Sequence, residues 1–469
     1  MPSKEHFKQR REQFLGRLSS PVLLVAGGEV PRNYPANVSP YRADSNFLFF
    51  FDNPEPDSAA LFDPADGSVT LYLKARTAED ALWHGPAPSF GDMQAHHGVH
   101  SVHAVEELVE SVQKRAAGRK VRSLAVVDPE ATKLANRTTG ESLVFLDSSK
   151  IADPQLIQEI GQLRAVKTEE EIQEMRATAV ITAEAHTAAI AQTRVGGSEQ
   201  ELNGVVTSVF AKHGCVPAYN NILSVRGEVL HNHSHDNTLR DGDIVLLDAG
   251  AENSSGFCSD VTRSWPASGQ FTLEASQIYE IVLAAEKAAI EGVKPGARYR
   301  DAHMTASQVI AEGLVEMGVL LGHPDALIES GAHALFFPHG VGHLIGLDVH
   351  DMEAFGDAIA YPPGRDRSPQ FGTGYLRLDM DLVPGLCFTI EPGIYFVPAI
   401  LHDEKLISQF KDQVDWERAE SFLRMNDGRG FGGIRIEDDV LCTEGGYDVL
   451  TKAMPKEREE IEALVGSAL

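Results

Sequence analysis

Cysteine is scarce in this 469-residue chain: only Cys215, Cys258, Cys387 and Cys442 occur, far apart and with no C-x-x-C pair. A disulfide framework and a cysteine-built zinc module are thereby excluded, and a reducing, cytoplasmic compartment is expected. Long apolar runs are missing too: nothing approaches the roughly eighteen residues that a membrane span requires, so no membrane partner is expected. The opening stretch MPSKEHFKQRREQFLGRL is too charged to hold the apolar middle of a secretory signal and reads as an amphipathic helix. Positive charge is in short supply, with 41 Lys and Arg against 68 Asp and Glu and a formal net charge of −27. Phosphate recognition needs a basic face, so nucleic acid is not an expected partner. Tandem repeats and low-complexity segments are absent as well.

What is present fits two domains, since one hydrophobic core stops growing well below this length. Up to about residue 160 short apolar runs (PVLLVAGG, SNFLFFF, SVTLYL) alternate with turn-rich stretches and lead to the polar helix-like AVEELVESVQKRAAG. A self-contained mixed α/β domain over residues 1–163 is expected. The character then changes: Thr168 and Glu171 have capping-box spacing before a long helix in which Ile172, Met175, Ala179 and Ala183 share one face as core. Further helices are expected at SEQELNGVVTSVFAKHG, EASQIYEIVLAAEKAAIEG and RDAHMTASQVIAEGLVEMG, each ending at or near a glycine able to take positive φ. With strand-like DIVLLDAG, GLCFTIEPGIYF and GIRIEDDVLCT between and after them, residues 164–469 read as a second domain of α/β or α+β class. Residues 353–374 and 397–430 read as loops with some local helix.

Chemistry concentrates in five places. In DGDIVLLDAGAENSSGFCSDVTRSWP, Asp248 ends an apolar strand and Asp260 begins the returning one, so a hairpin brings two carboxylates together. Such a pair needs a cation or a proton between them, unless both are merely solvated capping groups. Glu391 interrupts the apolar TIEPGIYF, where an unpaired carboxylate is costly. In GGIRIEDDV, Arg435 and Glu437 alternate with isoleucines and point to one strand face, which meets either water or a site. Finally, LFFPHGVGHLIGLDVHDM sets His339, His343 and His350 among glycines. The glycines and the missing glutamate exclude a helical H-E-x-x-H zinc motif. A loop is expected, with the glycines letting backbone approach a bound group. Any one of these histidines alone reads equally as a hydrogen-bonded core residue.

Taken in order, LLDAG, SDVTRSWP, HGVGHLIGLDVHD, TIEPGIYF and GGIRIEDD resemble the proline-specific metallopeptidases of the pita-bread family, the Xaa-Pro dipeptidases (prolidases) and Xaa-Pro aminopeptidases. YRADSNFLFFFDNPEPDSAALF and ALWHGPAPSFGD are similar to that family's N-terminal domain, so the resemblance spans essentially the whole chain. It implies an aminopeptidase P-like domain over 1–163 and a pita-bread catalytic domain over 164–469. By the same resemblance Asp248 and Asp260 hold one divalent ion, Asp260 also touches a second, His343 and Glu391 complete one side, and Glu437 bridges. Four carboxylates against two divalent cations leave the cluster near neutrality. Mostly oxygen ligands favour manganese, with cobalt or zinc as substitutes. Glu391 is then the proton shuttle, and His339 and His350 hydrogen-bond the substrate carbonyl or the charge developing on it. His231, seventeen residues before Asp248, takes the position of a further substrate histidine, while His233 and His235 read as solvated loop residues.

The resemblance also implies a small peptide substrate with proline at its second position and a homodimer. Within the family, Arg377, fourteen residues before Glu391, stands where prolidases place the arginine that binds a dipeptide's carboxylate. The alternative for Arg377 is a surface ion pair with Asp379 or Asp381. The long segment between the two glutamate motifs also resembles the dipeptidase branch, so Xaa-Pro dipeptidase is expected, with Xaa-Pro aminopeptidase as the alternative. Met380 departs from the family, which usually has a second basic residue there. Arg435 resembles an arginine that orients the site and touches substrate, or else simply neutralises Glu437. Trp83 and Tyr219 resemble pocket-lining residues, with core packing as their alternative roles. A non-catalytic pita-bread binding protein and a metal-free creatinase-like hydrolase are the more distant alternatives.

Overall fold

The computed structural model describes residues 1–52 and 54–468. They form two compact units: Met1–Ala165 with Glu169–Glu171 and Met352–Ile359, and Val166–Thr168 with Ile172–Asp351 and Ala360–Leu469.

The first unit is built on a mixed five-stranded sheet of Val22–Val25 (β1), Ala59–Asp63 (β2), Ser68–Leu73 (β3), Ser101–Ala104 (β4) and Arg122–Ser123 (β5), in the order β4-β3-β2-β1-β5. β1 to β3 pair antiparallel, whereas β3/β4 and β1/β5 are parallel. Every residue of β1, β2 and β3 is buried, which accounts for the unbroken apolar run Val22–Val25 in place of alternation. SNFLFFF is not a strand. Asp44 accepts from the Asn46 amide at 2.9 Å and starts a helical turn, Ser45–Leu48, that leaves Phe47, Phe49, Phe50 and Phe51 buried. The N-terminal helix Lys4–Leu15 departs from simple amphipathicity, because Arg10 and Arg11 are buried on it beside Phe7 and Phe14. Their guanidiniums donate to Phe49 O at 2.6 Å and Phe50 O at 2.8 Å, and Arg10 pairs with Glu171 at 2.8 Å. A buried cation is tolerable only with such partners.

The long helix runs Glu169–Ala191, in the second unit from Ile172 onward, with Ile172, Met175, Ala179 and Ala183 buried. Helices Glu199–Lys212, Leu273–Glu291 and Tyr299–Glu316 follow. Gly214 and Gly318 adopt positive φ after the first and third of these. Gly292, after the second, stays right-handed at φ −74°, contrary to the expectation. The strands are Val216–Pro217 (β6), Ile222–Ser224 (β7), Ile244–Asp248 (β8), Ala251–Glu252 (β9), Thr262–Pro266 (β10), Cys387–Ile390 (β11), Gly393–Tyr395 (β12), Gly433–Arg435 (β13), Asp438–Thr443 (β14) and Gly446–Val449 (β15). They group as β10-β8-β7, β11-β14-β15, β12-β13 and β6-β9. Residues 397–430 hold more helix than the sequence led us to expect: Pro398–Leu401, Glu404–Gln409 and Trp416–Leu423, the last two capped by Asp403 and Asp415. No helix among the described residues is long and apolar enough to cross a membrane.

Candidate active site

Strand register assembles the site. In the antiparallel pairing of β8 with β10, Asp248 lies opposite Thr262, and Thr262 forms a bridge to Glu437, so the three stand in one row. Asp260 therefore precedes the returning strand by two residues instead of opening it. β11 with β14 and β12 with β13 keep a single register, Ile390 opposite Asp438 and Gly393 opposite Arg435. Glu391 and Glu437 consequently face each other across the gap that Pro392 leaves in the ladder. His343 arrives on an extended loop alongside β11: its carbonyl accepts from Thr389 N at 2.9 Å, and Val341 O accepts from Glu391 N at 2.8 Å.

Gly342 permits that approach. Its φ is +150°, and a methyl group there would lie 2.3 Å from Thr389 O and 2.5 Å from the Tyr299 hydroxyl. The glycines of HGVGH thus make room for protein: at Gly340 the obstacle would be the Leu376 backbone, at 2.7 Å. At Gly342 that room lets the loop lie flat on β11.

The five residues read as a ligand set converge. His343 Nε2 is 3.4 Å from Asp260 Oδ2 and 3.6 Å from Glu391 Oε1. Donor atoms of Asp260, His343 and Glu437 all lie within 4.8 Å of one another, and all three residues are buried. Asp248 joins through the Tyr219 hydroxyl, which lies between the two carboxylates, 2.5 Å from Asp248 Oδ1 and in hydrogen-bond contact with Asp260 Oδ1 as well. Burial, and then the charge of Asp248, push the Asp260 carboxyl up to about 8. Burial and the surrounding acids raise Glu437 well above the ordinary carboxylate range, and burial raises Glu391. So many carboxyl groups held out of water next to one another require either protons or multivalent cations. With one imidazole among four carboxylates, these residues fit a pair of divalent ions, and the cluster is a candidate dinuclear metal site.

Residues around the cluster hold it in place. Arg435 Nη2 donates to Asp248 Oδ2 at 2.5 Å, Nη1 to the Tyr395 hydroxyl at 2.9 Å and Nε to Thr262 Oγ1 at 2.9 Å. Arg435 therefore spends its charge on Asp248, whereas neutralisation of Glu437 alone had been the alternative. Thr262 Oγ1 donates to Glu437 Oε2 at 2.6 Å. Arg263 fixes the backbone behind it, donating to Glu437 O at 2.7 Å and to Asp438 Oδ1 at 2.8 Å. Asp439 accepts from Asp260 N at 3.1 Å. Thr262, Asp439 and Tyr395 escaped the sequence reading. Thr262 alone had a signal, since it stands two residues after Asp260 and thus on the same strand face.

The remaining expected residues divide. The His350 ring lies against that of His343, tilted by 56° with centroids 4.1 Å apart, and its Nδ1 lies 3.3 Å from Arg377 Nη1. A guanidinium can only donate, so Nδ1 accepts and the His350 proton sits on Nε2. Asp379 pairs with Arg298, and Asp381 with Arg365 at 2.6 Å, which leaves Arg377 beside His350 and not in the surface pair considered from sequence. His339 is different. Its Nδ1 is 2.8 Å from Gly340 O and its Nε2 is 2.9 Å from the Tyr395 hydroxyl, so both ring nitrogens already have protein partners. Burial, and then Arg435, hold it neutral, down to about 3. His231 is at the rim, lowered by partial burial and then by the charge of Arg435. Tyr219 does more than pack, as its two acidic partners show. Trp83 belongs to the first unit, on the helix Ala78–His84, and is 73% exposed, which removes the core-packing alternative.

Residues 173–444, more than half of the sequence, match the model of metallopeptidase family M24. The chain belongs to metallopeptidase family M24. Residues 7–124 of this M24 chain match the aminopeptidase P N-terminal domain. Among curated relatives, it is 33% identical over 455 residues to the Xaa-Pro dipeptidase of Homo sapiens, covering 94% of this chain and 88% of that protein. It is 31% identical over 478 residues to the Xaa-Pro aminopeptidase of Escherichia coli (strain K12), covering 99% and 98%. Among solved structures, aminopeptidase P from E. coli with the inhibitor Pro-Leu superposes with a TM-score of 0.81 at 29% identity, covering 100% of this chain and 99% of that one. The M24 chain thus has the aminopeptidase P N-terminal fold followed by the pita-bread fold, and is a peptidase, not a binding protein.

Proposed function

We propose that the protein is a dinuclear metal-dependent exopeptidase that hydrolyses the bond preceding proline, with Xaa-Pro dipeptides as its preferred substrates. The observation that carries this reading is the convergence of Asp248, Asp260, His343, Glu391 and Glu437, with the Arg377 guanidinium set beside His350 at the same site. In this reading Asp248, Asp260, His343, Glu391 and Glu437 would hold the two ions, with Asp248 and Asp260 serving one and His343 and Glu391 the other. Manganese is the first choice because oxygen donors predominate, and cobalt or zinc can replace it. When bound, the two ions polarise the scissile carbonyl and acidify the attacking water.

The chain's own residues do the rest. Glu391 takes the proton of the attacking water and passes it to the departing proline nitrogen. His350, with its proton on Nε2, donates to the oxygen on which negative charge grows, in a site shielded from water where such a bond counts for more. His231 lines the rim on the substrate side. His339 can contribute a bond only by releasing Tyr395 or the Gly340 carbonyl, so we place it chiefly as the group that holds Tyr395, and through it Arg435, in position. Arg377 receives the free carboxylate of a dipeptide, a task that suits a planar cation. Tyr219 remains a pocket residue in this proposal. A homodimer in the cytoplasm completes it, in keeping with a chain of only four cysteines, all of them buried.

Aminopeptidase action on longer Xaa-Pro-Yaa chains is the second reading. The near-complete coverage of the E. coli aminopeptidase favours it. The deciding experiment compares Ala-Pro with Ala-Pro-Ala after chelation and reloading with manganese, cobalt or zinc. Turnover of Ala-Pro is expected. Turnover of the tripeptide alone overturns the dipeptidase reading, and turnover of neither overturns the proline specificity.

A further inference from the structure

A second group of metal-type side chains lies in the first unit, built independently of the M24 site. Asp52 follows Phe51 directly, and His96 and His97 occupy the last turn of the helix Phe90–His97. His96 Nε2 is 2.8 Å from Asp52 Oδ2, and His97 Nδ1 is 3.1 Å from Asp52 Oδ1. All three donor atoms lie within 4.8 Å of one another. Around a zinc-sized ion with bonds of about 2.0–2.1 Å, tetrahedral donors stand roughly 3.3 Å apart, so the two His–Asp52 separations need shifts of a few tenths of an ångström and the His96–His97 separation one of at most about 1.5 Å.

The decisive detail is His97. Its side chain is 3% exposed, yet Nδ1 points at Asp52 without the alignment a hydrogen bond needs and has no other hydrogen-bond partner. A buried imidazole nitrogen in that condition costs stability unless something accepts its lone pair. Its ring is held edge-on against Phe51 at 5.8 Å, and its carbonyl accepts from Arg11, so it cannot swing out to water. His96 stands perpendicular to it at 4.7 Å and is 39% exposed, opening onto a groove of roughly 490 Å³ lined also by Glu55, Asp92 and Met93.

We propose that Asp52, His96 and His97 form a second, mononuclear site for a divalent transition metal, a clip that ties the helix Phe90–His97 to the chain at Asp52. Two imidazoles and one carboxylate select zinc, nickel or copper over magnesium, calcium or manganese. The positive charge of Arg11 nearby, committed to Phe50 O at 2.8 Å, sharpens that selection, because a hard ion held by charge alone gains least beside a guanidinium. The end of the helix adds a weak attraction for a cation through its carbonyls. Binding displaces the proton that His96 shares with Asp52 and leaves the open side of the ion to water.

The test is zinc stoichiometry of the full chain, stripped by chelation and titrated in equilibrium dialysis with elemental analysis. His96→Ala is the principal variant because His96 is part-exposed and lies outside the peptidase site, so fold and peptide hydrolysis stay as in the unchanged protein. The unchanged protein should bind one more zinc ion than His96→Ala, or bind it at least about tenfold more tightly. His323→Ala, removing a histidine that is 75% exposed, should match the unchanged protein. Repeating the comparison with Glu437→Ala should lower the total and leave the difference of one ion intact. Equal stoichiometry and affinity in His96→Ala overturn the proposal, as does an equal loss in His323→Ala, which would mark the extra ion as bound by surface histidines at large.

Discussion

Thr262 ties the metal candidates to their support, and replacing it by valine isolates that tie. Valine keeps the shape of a side chain that is completely buried in β10 but removes the hydroxyl. Two bonds go with it, the 2.6 Å donation to Glu437 Oε2 and the 2.9 Å bond received from Arg435 Nε. A hydrogen bond to a charged group contributes about 1.5–3 kcal/mol, and stranding a buried partner adds its desolvation cost. Against this, burial and its acidic neighbours raise Glu437 well above the ordinary carboxylate range before any ion binds, which weakens the charged character of the bond it accepts. The metal-free Thr262→Val protein should therefore lose about 2–4 kcal/mol in chemical denaturation. Its affinity for manganese should fall about 10–100-fold by calorimetric titration, as when the partner orienting a ligand is lost. Thr262→Ser keeps the oxygen and should recover most of both effects. Lower stability with unchanged metal affinity would refute the reasoning, since Thr262 would then serve the fold and not the placement of Glu437.

Gly342→Ala should be more damaging than its size suggests. A methyl group 2.3 Å from Thr389 O at φ +150° must lift the His343 loop off β11, so we expect loss of metal binding together with at least about 2 kcal/mol of stability, measured by titration and denaturation. Arg377→Ala should raise KM for Ala-Pro and lower its kcat/KM by about 10–100-fold, the worth of a charge-assisted pair, while Ala-Pro-Ala changes little; equal losses on both substrates would remove Arg377 from carboxylate binding. His303 supplies a pH test. It is buried with neither ring nitrogen hydrogen-bonded, and burial, followed by the nearby His333 and His339, lowers it to about 3. A histidine whose folded value lies below its unfolded 6.5 gives full stability above pH 6.5 and loses it as pH falls towards 3, by up to about 1.4 kcal/mol per pH unit. His303→Phe should flatten that slope in denaturation curves taken between pH 6.5 and pH 4, and an unchanged slope would exclude His303 as its source.

Much of this protein could be read from order along the chain. The apolar runs of β1 and β3, the long helix carrying Ile172 and Met175, and the acids and histidine of the M24 site were all legible, because burial periodicity and the cost of a carboxylate in an apolar strand are local properties. Partner choice was not legible. That Arg377 meets His350 and not Asp379, that His339 Nε2 meets Tyr395, and that Arg10 and Arg11 are buried on a helix that looks solvent-facing all depend on residues 27 to 56 positions away. The same holds for His97, whose nitrogen is left without a hydrogen bond only because Phe51 and Arg11 close around it. Sequence alone settled which side chains carry charge or lone pairs and which faces must be buried. Tertiary structure decided who answers whom, since a hydrogen bond is a matter of ångströms and direction, and those arise only when strands from distant parts of the chain come into register.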